Sequence, residues 1–481
     1  MATATYEAID RPMLIVGERV ETGKWSEVRS PYDGSLVGRV PLADNALADR
    51  AINAAHAAFK EGNFPQHERA AVLARAAMLV AEREDDLTLT IAAEAGKPVK
   101  TARVEAQRCV STLEFSAVAA RTLTGEMVPM EASATGAGKF GYVLRRPLGV
   151  VAAINPFNFP LNLVAHKLGP ALAAGNAVVL KPAGQTPFSG LKLAEILIEA
   201  GVPDGWLNAI TGPGAEIGDA IVEHDLVSAI SFTGSAPVGW SIRSRAPQKK
   251  VSLELGSTAP LIVMEDGDWE RAADGAGIHA FSHAGQSCIS VQRILVHADV
   301  AAKFTERLIA NVEGLVVGDP MDADTDVGPL ITSADRDRVK SWIDEATEGG
   351  GEVLTGGELT DEDRCLKPTV IREPSWESRV WCDEIFGPVA TLHTINSLDE
   401  AIGLANDSAF GLHAGIFTRD MGRGLEASER LEFGGVLVNE LPTFRADQMP
   451  YGGVKESGNT REGPAWSVRE FTDERFVSLQ G

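Results

Sequence analysis

The chain has 481 residues, with 44 lysine plus arginine side chains against 67 aspartate plus glutamate and a formal net charge of −23. One hydrophobic core does not fill a chain of this length, so we expect roughly two to three domains. The acidic balance repels nucleic acid and anionic membranes, so we expect neither as a partner. An anionic small substrate would have to meet a local cluster of arginine or histidine inside a pocket.

The N-terminus reads MATATYEAIDRPMLIV and lacks a basic stretch followed by a long apolar run. It therefore predicts neither a signal peptide nor a membrane-spanning helix. The cysteines are Cys109, Cys288, Cys365 and Cys382, widely scattered, without a CxxC pair or the histidine spacing that zinc needs. We expect a cytoplasmic protein without a metal site.

The first part of the chain contains the short strand-like runs MLIVGERV and SLVGRVPL, followed by alanine-rich amphipathic helices. Asp44 precedes a helical spacing of apolar residues, so we expect it to cap that helix. A longer helical tract covers about 68–122. Glycine, proline and alternating residues in 123–146 then predict an excursion in β structure.

From Gly149 to Met264, strand-like runs such as VVAAI, AVVLKP and AISFTG mostly alternate with helical runs, which is typical of a parallel sheet covered by helices. Ligands bind at the carboxyl ends of such strands, which directs attention to the loops at 155–160, 181–186, 233–239 and 254–258. After Glu265 a second alternation predicts a second α/β domain. Cys288 lies near its start, where its thiol can face the first domain across a cleft.

Two segments are candidates for a phosphate-binding loop. In TGPGAEIG the third glycine comes one residue too late for GxGxxG, so a turn between strand and helix is favoured there. In SFTGSAPVG, Thr233, Gly234 and Ser235 end a strand and open a helix, whose free N–H groups can hold a pyrophosphate. A glycine turn capped by Ser235 is an equal alternative. Lys181 ends another strand and can reach ribose hydroxyls or a 2′-phosphate. The structural alternative is an ordinary lysine on the protein surface.

Three residues fit a covalent mechanism. Cys288 lies among small and polar residues in SHAGQSCISVQR, Glu254 ends VSLELG and can act as a general base, and Asn158 in NPFNFP can donate to an oxyanion. Each residue also has a purely structural alternative. Cys288 can be a packed thiol, Glu254 a solvated residue at the end of a strand, and Asn158 a turn former.

The chain resembles the aldehyde dehydrogenase superfamily. The matching motifs run in family order over nearly the whole chain: PFNFPL, GPALAAGNAVVLKPA, FTGS, LELG, GQSC, EIFGPV and MPYGGVKESG. Cys288 follows Glu254 by 34 positions, the family's separation of nucleophile and base. The resemblance implies an α/β fold with a doubly wound cofactor domain (1–122 and 147–255), a catalytic α/β domain (256–465) and a small β oligomerisation element (123–146 and 466–481). It also implies a homodimer or homotetramer, and we expect the 123–146 excursion to pair with the C-terminal tail across subunits.

By the same resemblance, the Cys288 thiolate attacks an aldehyde, Asn158 and the Cys288 N–H hold the oxyanion, hydride passes to NAD(P)+, and Glu254 activates water to hydrolyse the thioester. CoA-acylating relatives lack this base. The implied cofactor contacts are Ile154, Phe157, Lys181, Thr233, Gly234, Ser235, Leu255, Glu384 and Phe386. The alternatives are an acylating or semialdehyde reductase that uses the same thiol and a catalytically silent paralogue.

The chain departs from the family pattern at several positions. Gly184 stands where relatives that prefer NAD+ commonly have glutamate, so NADP+ or dual use is permitted and NAD+ is not excluded. Ser257 and Thr258 stand where the family often has glycine and lysine. We assign no mechanistic consequence to this difference. His166 and Ser282 stand where succinate-semialdehyde dehydrogenases carry arginine, which disfavours that substrate.

Arg445 falls where relatives that oxidise aromatic or long aliphatic aldehydes place an apolar residue. With His166 and Arg108 it predicts a polar lining suited to a small hydroxy, carboxy, sulfo or phospho aldehyde. The surrounding motifs look most like the branch that oxidises lactaldehyde and glyceraldehyde phosphate. An arginine packed on its own loop is the structural alternative.

Overall fold

The computed structural model describes residues 6–480. Its first part supplies two small hairpins, four helices and an excursion: β1 (Met13–Ile15), β2 (Glu18–Val20), β3 (Trp25–Arg29), β4 (Leu36–Pro41), α1 (Asn45–Glu61), α2 (Gln66–Glu82), α3 (Glu84–Ala95), α4 (Val99–Thr122), β5 (Glu126–Val128) and β6 (Lys139–Pro147). Asp44 caps α1 as expected, because its Oδ1 accepts the Leu47 N–H at 2.9 Å.

The next part alternates strand and helix: β7 (Val150–Ile154), α5 (Asn162–Ala174), β8 (Ala177–Lys181), α6 (Pro187–Glu199), β9 (Leu207–Ala209), α7 (Asp219–Glu223), β10 (Val227–Thr233), α8 (Ala236–Arg245) and β11 (Lys250–Glu254). These strands form a seven-stranded sheet with the order β11-β10-β7-β8-β9-β1-β2. Strands β7 to β11 pair in parallel, whereas β1 pairs antiparallel with both β9 and β2. The buried strands have helices on both faces, which explains their continuous apolar character.

A second alternation completes the chain: β12 (Pro260–Val263), α9 (Trp269–His279), β13 (Arg293–His297), α10 (Ala298–Glu313), α11 (Ser333–Glu348), β14 (Glu352–Thr355), β15 (Thr369–Arg372), α12 (Arg379–Cys382), β16 (Val389–Ile395), α13 (Leu398–Asn406), β17 (Phe410–Gly411), β18 (His413–Phe417), α14 (Met421–Arg430), β19 (Gly435–Val438), β20 (Val454–Lys455), α15 (Pro464–Glu470) and β21 (Thr472–Gln480). The second sheet has the order β14-β15-β16-β13-β12-β18-β19. The strand pattern of Gly149 to Met264 is thus divided between two sheets, because β12 lies inside the second one. The chain thus forms two α/β units with mainly parallel sheets, as the resemblance implied.

The predicted β excursion forms a three-stranded sheet of the order β21-β6-β5. Strand β21 pairs antiparallel with β6 of the same chain over nine residues, from Thr472 opposite Pro147 to Gln480 opposite Lys139. The expected pairing of the tail across subunits is therefore wrong. The alternation of apolar and polar residues is compatible with pairing within one chain and with pairing across subunits. The short helix α15 favours pairing within the chain, because it packs against α5 and α4 just before β21 begins.

Within residues 6–480, no helix combines the length and the apolar character needed to span a membrane. In the same residues no group of histidine, cysteine and carboxylate side chains converges in a way that would hold a metal ion.

Candidate active site

A cleft of about 1010 Å³ lies where the carboxyl ends of the first sheet's strands face the segment around Cys288. It brings together most of the residues that the sequence predicted for the cofactor and for catalysis. Those that line it are Phe157, Asn158, Lys181, Gly184, Thr233, Gly234, Ser235, Leu255, Cys288, Glu384 and Phe386. Ile154 ends β7 beside Lys181, and Glu254 ends β11 next to the lining residue Leu255.

Cys288 reaches this cleft through a sharp turn. His283 and Ala284 have φ of 51° and 53°, and Gly285 has φ of 69°, so three successive left-handed residues redirect the chain after α9. The half-buried thiol lies 2.7 Å from the Tyr451 hydroxyl. Burial raises the pKa of the Cys288 thiol to about 12, and the Tyr451 hydrogen bond and the Arg445 charge act in the opposite direction. The thiol is therefore placed for attack but needs help to ionise.

Asn158 is tied directly to the cysteine segment. Its Nδ2 donates to the Gln286 carbonyl at 3.0 Å, two residues before Cys288. The Gln286 side chain is itself held, because its Oε1 accepts the Ile331 N–H at 2.9 Å. Within the described chain, the Cys288 N–H has no hydrogen-bond acceptor. The geometry thus offers two donors beside the thiol, an amide side chain and a backbone N–H, as an oxyanion site requires.

A buried ion pair anchors the loop that carries Asn158. Lys97 and Glu105 form an ion pair in which both side chains are about 1% exposed. Glu105 Oε1 accepts the N–H groups of Leu161 and Asn162 at 2.9 and 3.2 Å, at the start of α5. The Lys97 ammonium lies 3.6 Å from the centre of the Phe159 ring. The residues that flank Asn158 are therefore fixed by charge.

Glu254 is 4% exposed, and neither carboxylate oxygen has a hydrogen-bond partner in the described structure. Burial raises the pKa of Glu254 well above its usual range, and the negative charge of Glu462 raises it further. An unpartnered buried carboxyl with a raised pKa is suited to bind a water molecule and take a proton from it.

A second buried carboxylate, Glu462, lies in contact with two cations. Glu462 Oε1 accepts from Lys167 Nζ at 3.3 Å, and Oε2 accepts from Arg445 Nη2 at 2.9 Å. These positive charges hold the pKa of Glu462 down at about 2. Lys167 also donates to Thr233 Oγ1 at 2.6 Å, which links this network to the end of β10.

The other side of the cleft fits a dinucleotide. Helix α8 begins after Ser235, whose side chain makes no capping bond, so the first N–H groups of the helix remain available to a pyrophosphate. A Cβ at Gly184 would meet no atom within 4 Å, so the cleft is open there. Burial lowers the pKa of Lys181, and no carboxylate opposes that effect.

The nicotinamide end of the predicted site is built by a carboxylate and two aromatic rings. Glu384 Oε1 accepts the Ser257 N–H at 3.0 Å, and burial raises the pKa of Glu384 to about 7. The Phe157 and Phe386 rings meet edge to face at 5.7 Å. Gly256 leaves room for Glu384, since a Cβ there would overlap its carboxylate. The residues present therefore fit the cofactor that the resemblance implies.

The three residues predicted for substrate binding lie outside the lining of this cleft and contact carboxylates. Arg108 Nη2 donates to Asp447 Oδ1 at 2.8 Å, and His166 Nε2 contacts the same oxygen at 3.1 Å. The Arg445 side chain is 7% exposed, and its guanidinium lies over the Tyr451 ring. Arg108 is the most accessible of the three, with 26% of its side chain exposed, whereas the His166 side chain is fully buried.

Sequence reasoning missed several residues of this site: Lys167, Gln286, Asp447, Tyr451 and Glu462. Gln286 and Tyr451 lie inside the motifs GQSC and MPYGGVKESG, so those motifs carried a usable signal. Asp447 lies just before the second of them. Nothing local connects Lys167 with Glu462, because the two are 295 positions apart.

Comparison with known proteins identifies the family of the chain. The model of the aldehyde dehydrogenase family matches residues 19–477. A 3-sulfolactaldehyde dehydrogenase from Priestia aryabhattai is 42% identical over 467 residues, which cover 97% of each chain. A lactaldehyde dehydrogenase from Methanococcus maripaludis is 38% identical over 470 residues, 95% of this chain and 98% of the relative.

Among solved structures, glyceraldehyde-3-phosphate dehydrogenase GapN from Methanocaldococcus jannaschii, complexed with NADP, superposes with a TM-score of 0.91 at 36% identity. The alignment covers 96% of this chain and all of that chain. These likenesses extend over nearly the full length, and they confirm the resemblance and the oxidoreductase class that it implied. The chain belongs to the aldehyde dehydrogenase family and is an NAD(P)-dependent oxidoreductase.

Proposed function

We propose that the protein oxidises a small polar aldehyde to its carboxylic acid through covalent attachment to Cys288. The observation that carries the proposal is the meeting of the Cys288 thiol and the Asn158 amide in one cleft, with the unpartnered carboxyl of Glu254 next to the lining residue Leu255.

In the first step the ionised Cys288 sulfur attacks the carbonyl carbon, a C–S bond forms, and the π electron pair moves to oxygen. Asn158 Nδ2 and the Cys288 N–H donate to that oxygen, and Asn158 exchanges its bond to the Gln286 carbonyl for one to the oxyanion. NAD(P)+ supplies a hydride acceptor when it is bound. Loss of hydride from the thiohemiacetal carbon leaves a thioester on Cys288.

In the second step Glu254 takes a proton from a water molecule, whose oxygen attacks the thioester carbon. The C–S bond breaks, the carboxylic acid leaves, and Cys288 is regenerated. Burial keeps Glu254 basic enough for this role, because its pKa lies well above the usual range. This base also opposes an acylating reaction, in which a thiol or phosphate replaces water.

The substrate is proposed to carry an anionic or strongly polar group. Three cationic side chains, Arg108, Lys167 and Arg445, face two ionised carboxylates, Asp447 and Glu462. Burial keeps His166 neutral by lowering its pKa, so the three cations exceed these two carboxylates by one charge while Glu254 is protonated. This surplus favours a sulfo, carboxy or phospho aldehyde over a neutral one, and Arg108 is the accessible group. The relative named 3-sulfolactaldehyde dehydrogenase fits this class.

The test measures NAD(P)H formation with lactaldehyde, 3-sulfolactaldehyde and glyceraldehyde 3-phosphate, each with NAD+ and with NADP+. The proposal expects turnover of at least one anionic aldehyde, no turnover in Cys288→Ser, and one equivalent of NAD(P)H per subunit followed by arrest in Glu254→Gln. Turnover in Cys288→Ser would disprove the covalent route. A requirement for CoA or phosphate would instead support an acylating enzyme.

We further propose a homodimer or homotetramer in the cytoplasm. Phe140 and Leu479 are cross-strand neighbours in the three-stranded sheet, and 51% and 52% of their surfaces are exposed. Strand β19 has an open edge in the second sheet. A second subunit would cover both features. All four cysteines are free, as a reducing compartment favours. Light scattering of the wild type and of Phe140→Lys measures the assembly, and a monomeric wild type would disprove it.

A further inference from the structure

Tyr451 is the one side chain hydrogen-bonded to the Cys288 thiol in the described part of the chain. It is 2% exposed, and its hydroxyl lies 2.7 Å from Sγ. In the neutral pair either atom can donate, but a thiolate has no hydrogen, so the phenol becomes the only donor once Cys288 ionises. A hydrogen bond made to the charged form stabilises that form. The contact therefore favours the thiolate over the thiol.

Arg445 holds this tyrosine from its ring face. The guanidinium carbon lies 3.7 Å from the centre of the Tyr451 ring, which is close for a cation–π contact. Arg445 cannot swing away freely, because it is buried and its Nη2 is bound by Glu462 at 2.9 Å. A fixed positive charge over the ring withdraws electron density from the phenol and strengthens its O–H as a donor.

The remaining charged groups around the pair do not supply this help. Glu254 and Glu384 both disfavour the thiolate by their negative charge. His413 packs edge-on against the Tyr451 ring at 4.9 Å, and burial lowers the pKa of His413 to about 4, so it is neutral near pH 7. Arg461 lies farther out, where its Nη1 donates to the carbonyls of Gly453 and Thr460. Tyr451 and Arg445 are thus the groups in position to offset the burial of the thiol.

We propose that Tyr451 is a further catalytic residue, which donates a hydrogen bond to the Cys288 thiolate, and that Arg445 is the positioning residue that holds and polarises its phenol. The proposal rests on the proposed role of Cys288 as nucleophile. On ionisation the thiol proton passes to water in the cleft, and Tyr451 keeps its own proton throughout. When sulfur forms the C–S bond its negative charge moves to the carbonyl oxygen, so the Tyr451 bond weakens as attack proceeds.

This assignment differs from a role of Arg445 in binding an anionic substrate. If Arg445 acts through Tyr451, its loss slows reactions of the thiol that involve no substrate. If it acts only on the substrate, its loss raises KM for anionic aldehydes and leaves the thiol itself unchanged.

The experiment alkylates the full-length enzyme with iodoacetamide, a neutral reagent that needs neither aldehyde nor cofactor, between pH 6 and 10. Mass spectrometry follows the Cys288 peptide, because the exposed Cys382 also reacts. The variant is Tyr451→Phe, which removes only the hydroxyl, and the matched control is Tyr142→Phe on β6. We expect Tyr451→Phe to slow alkylation of Cys288 at pH 7 about tenfold and to shift the rate profile to higher pH, because a hydrogen bond to a charged group is lost. Tyr142→Phe should match the wild type.

Arg445→Met should shift the profile in the same direction, and Arg445→Lys should restore part of the rate. Equal alkylation rates in Tyr451→Phe and the wild type would overturn the proposal. So would an Arg445→Met variant that changes only KM for anionic aldehydes. Because Arg445→Met leaves Glu462 short of a partner and can fail to fold, the Tyr451→Phe result decides alone in that case. Failure of the proposed function gives a different result, namely a Cys288→Ser variant that still forms NAD(P)H.

Discussion

The Lys97 ammonium lies 3.6 Å from the centre of the Phe159 ring, next to the residue proposed to hold the oxyanion. Its ion-pair partner Glu105 binds the N–H groups that open α5. We predict that Lys97→Met lowers kcat about tenfold and leaves KM for the cofactor unchanged, because Asn158 loses its fixed position. Breaking the buried pair also lowers the free energy of unfolding by about 3–5 kcal/mol. Steady-state kinetics and denaturant unfolding measure the two effects.

A double-mutant cycle tests whether Lys97 acts through Asn158. In an Asn158→Ala background, Lys97→Met should cause little further loss of kcat, because the group that it positions is absent. Lys192→Met is the matched control, since Lys192 is also buried and paired, with Asp86 at 2.6 Å, but does not contact the Asn158 loop. If the fold losses in kcat of the two single variants multiply in the double variant, the prediction is contradicted.

Burial is the largest cause of the raised pKa of Glu254, and the charge of Glu462 adds to it. Glu462 is ionised and raises the pKa of Glu254 by repulsion, while Lys167 and Arg445 lower it. Glu462→Gln removes only the repulsion, so the pKa of Glu254 falls and its basic form persists to lower pH. We predict that the acidic limb of the kcat profile, where hydrolysis limits turnover, moves to lower pH by about one unit. The measurement is kcat between pH 5 and 9 with saturating substrate and cofactor.

The control for this prediction is Glu456→Gln, because Glu456 is an exposed carboxylate close in sequence to the site. Its profile should coincide with that of the wild type. An acidic limb that stays in place or moves to higher pH in Glu462→Gln would contradict the repulsion of Glu254 by Glu462.

Local patterns predicted much of this architecture, because the interactions behind them are local. The Asp44 cap spans three residues, and the alternation of strands and helices follows from burial on both faces of a sheet. Many cleft residues were predicted from loops at the ends of strands, whereas Glu384 and Phe386 came only from the family resemblance. The structure brings Asn158, Cys288 and Phe386 to one cavity.

The networks that tune the site were not predictable in the same way. Arg445 looks like a free cation in the sequence, but the returning C-terminal segment places Glu462 beside it and Tyr451 beneath it. Arg108 likewise meets Asp447, 339 positions away. Such pairs depend on which loops meet after both sheets have formed. The alternation of apolar and polar residues in β21 also did not show whether its partner strand belongs to the same chain.

Arg293 in β13 is fully buried and anchors the segment that follows Cys288. Its guanidinium donates to the carbonyls of Thr258, Leu404 and Ala405 at 2.8, 3.2 and 3.0 Å. We predict that Arg293→Met lowers the free energy of unfolding by at least about 3 kcal/mol, because the carbonyls of the buried residues Thr258 and Ala405 and of the half-buried Leu404 lose a donor. Denaturant unfolding measures this loss. The exposed Arg419→Met serves as a control and should change stability by less than about 0.5 kcal/mol. A loss no larger than that of the control would contradict the assigned role.

We predict that the residue at position 184 influences the choice between NADP+ and NAD+ at the open side of the cleft. A Cβ there meets no atom within 4 Å, so a longer side chain fits without moving the backbone. A carboxylate at this position would repel a 2′-phosphate and accept a hydrogen bond from a free ribose hydroxyl. We predict that Gly184→Glu lowers kcat/KM for NADP+ at least about tenfold and raises it for NAD+. Gly184→Gln has nearly the same size without the charge, so it should lower kcat/KM for NADP+ much less. Because the two variants differ only in charge, equal effects on both cofactors would show that volume, and not electrostatic repulsion, determines the preference at this position.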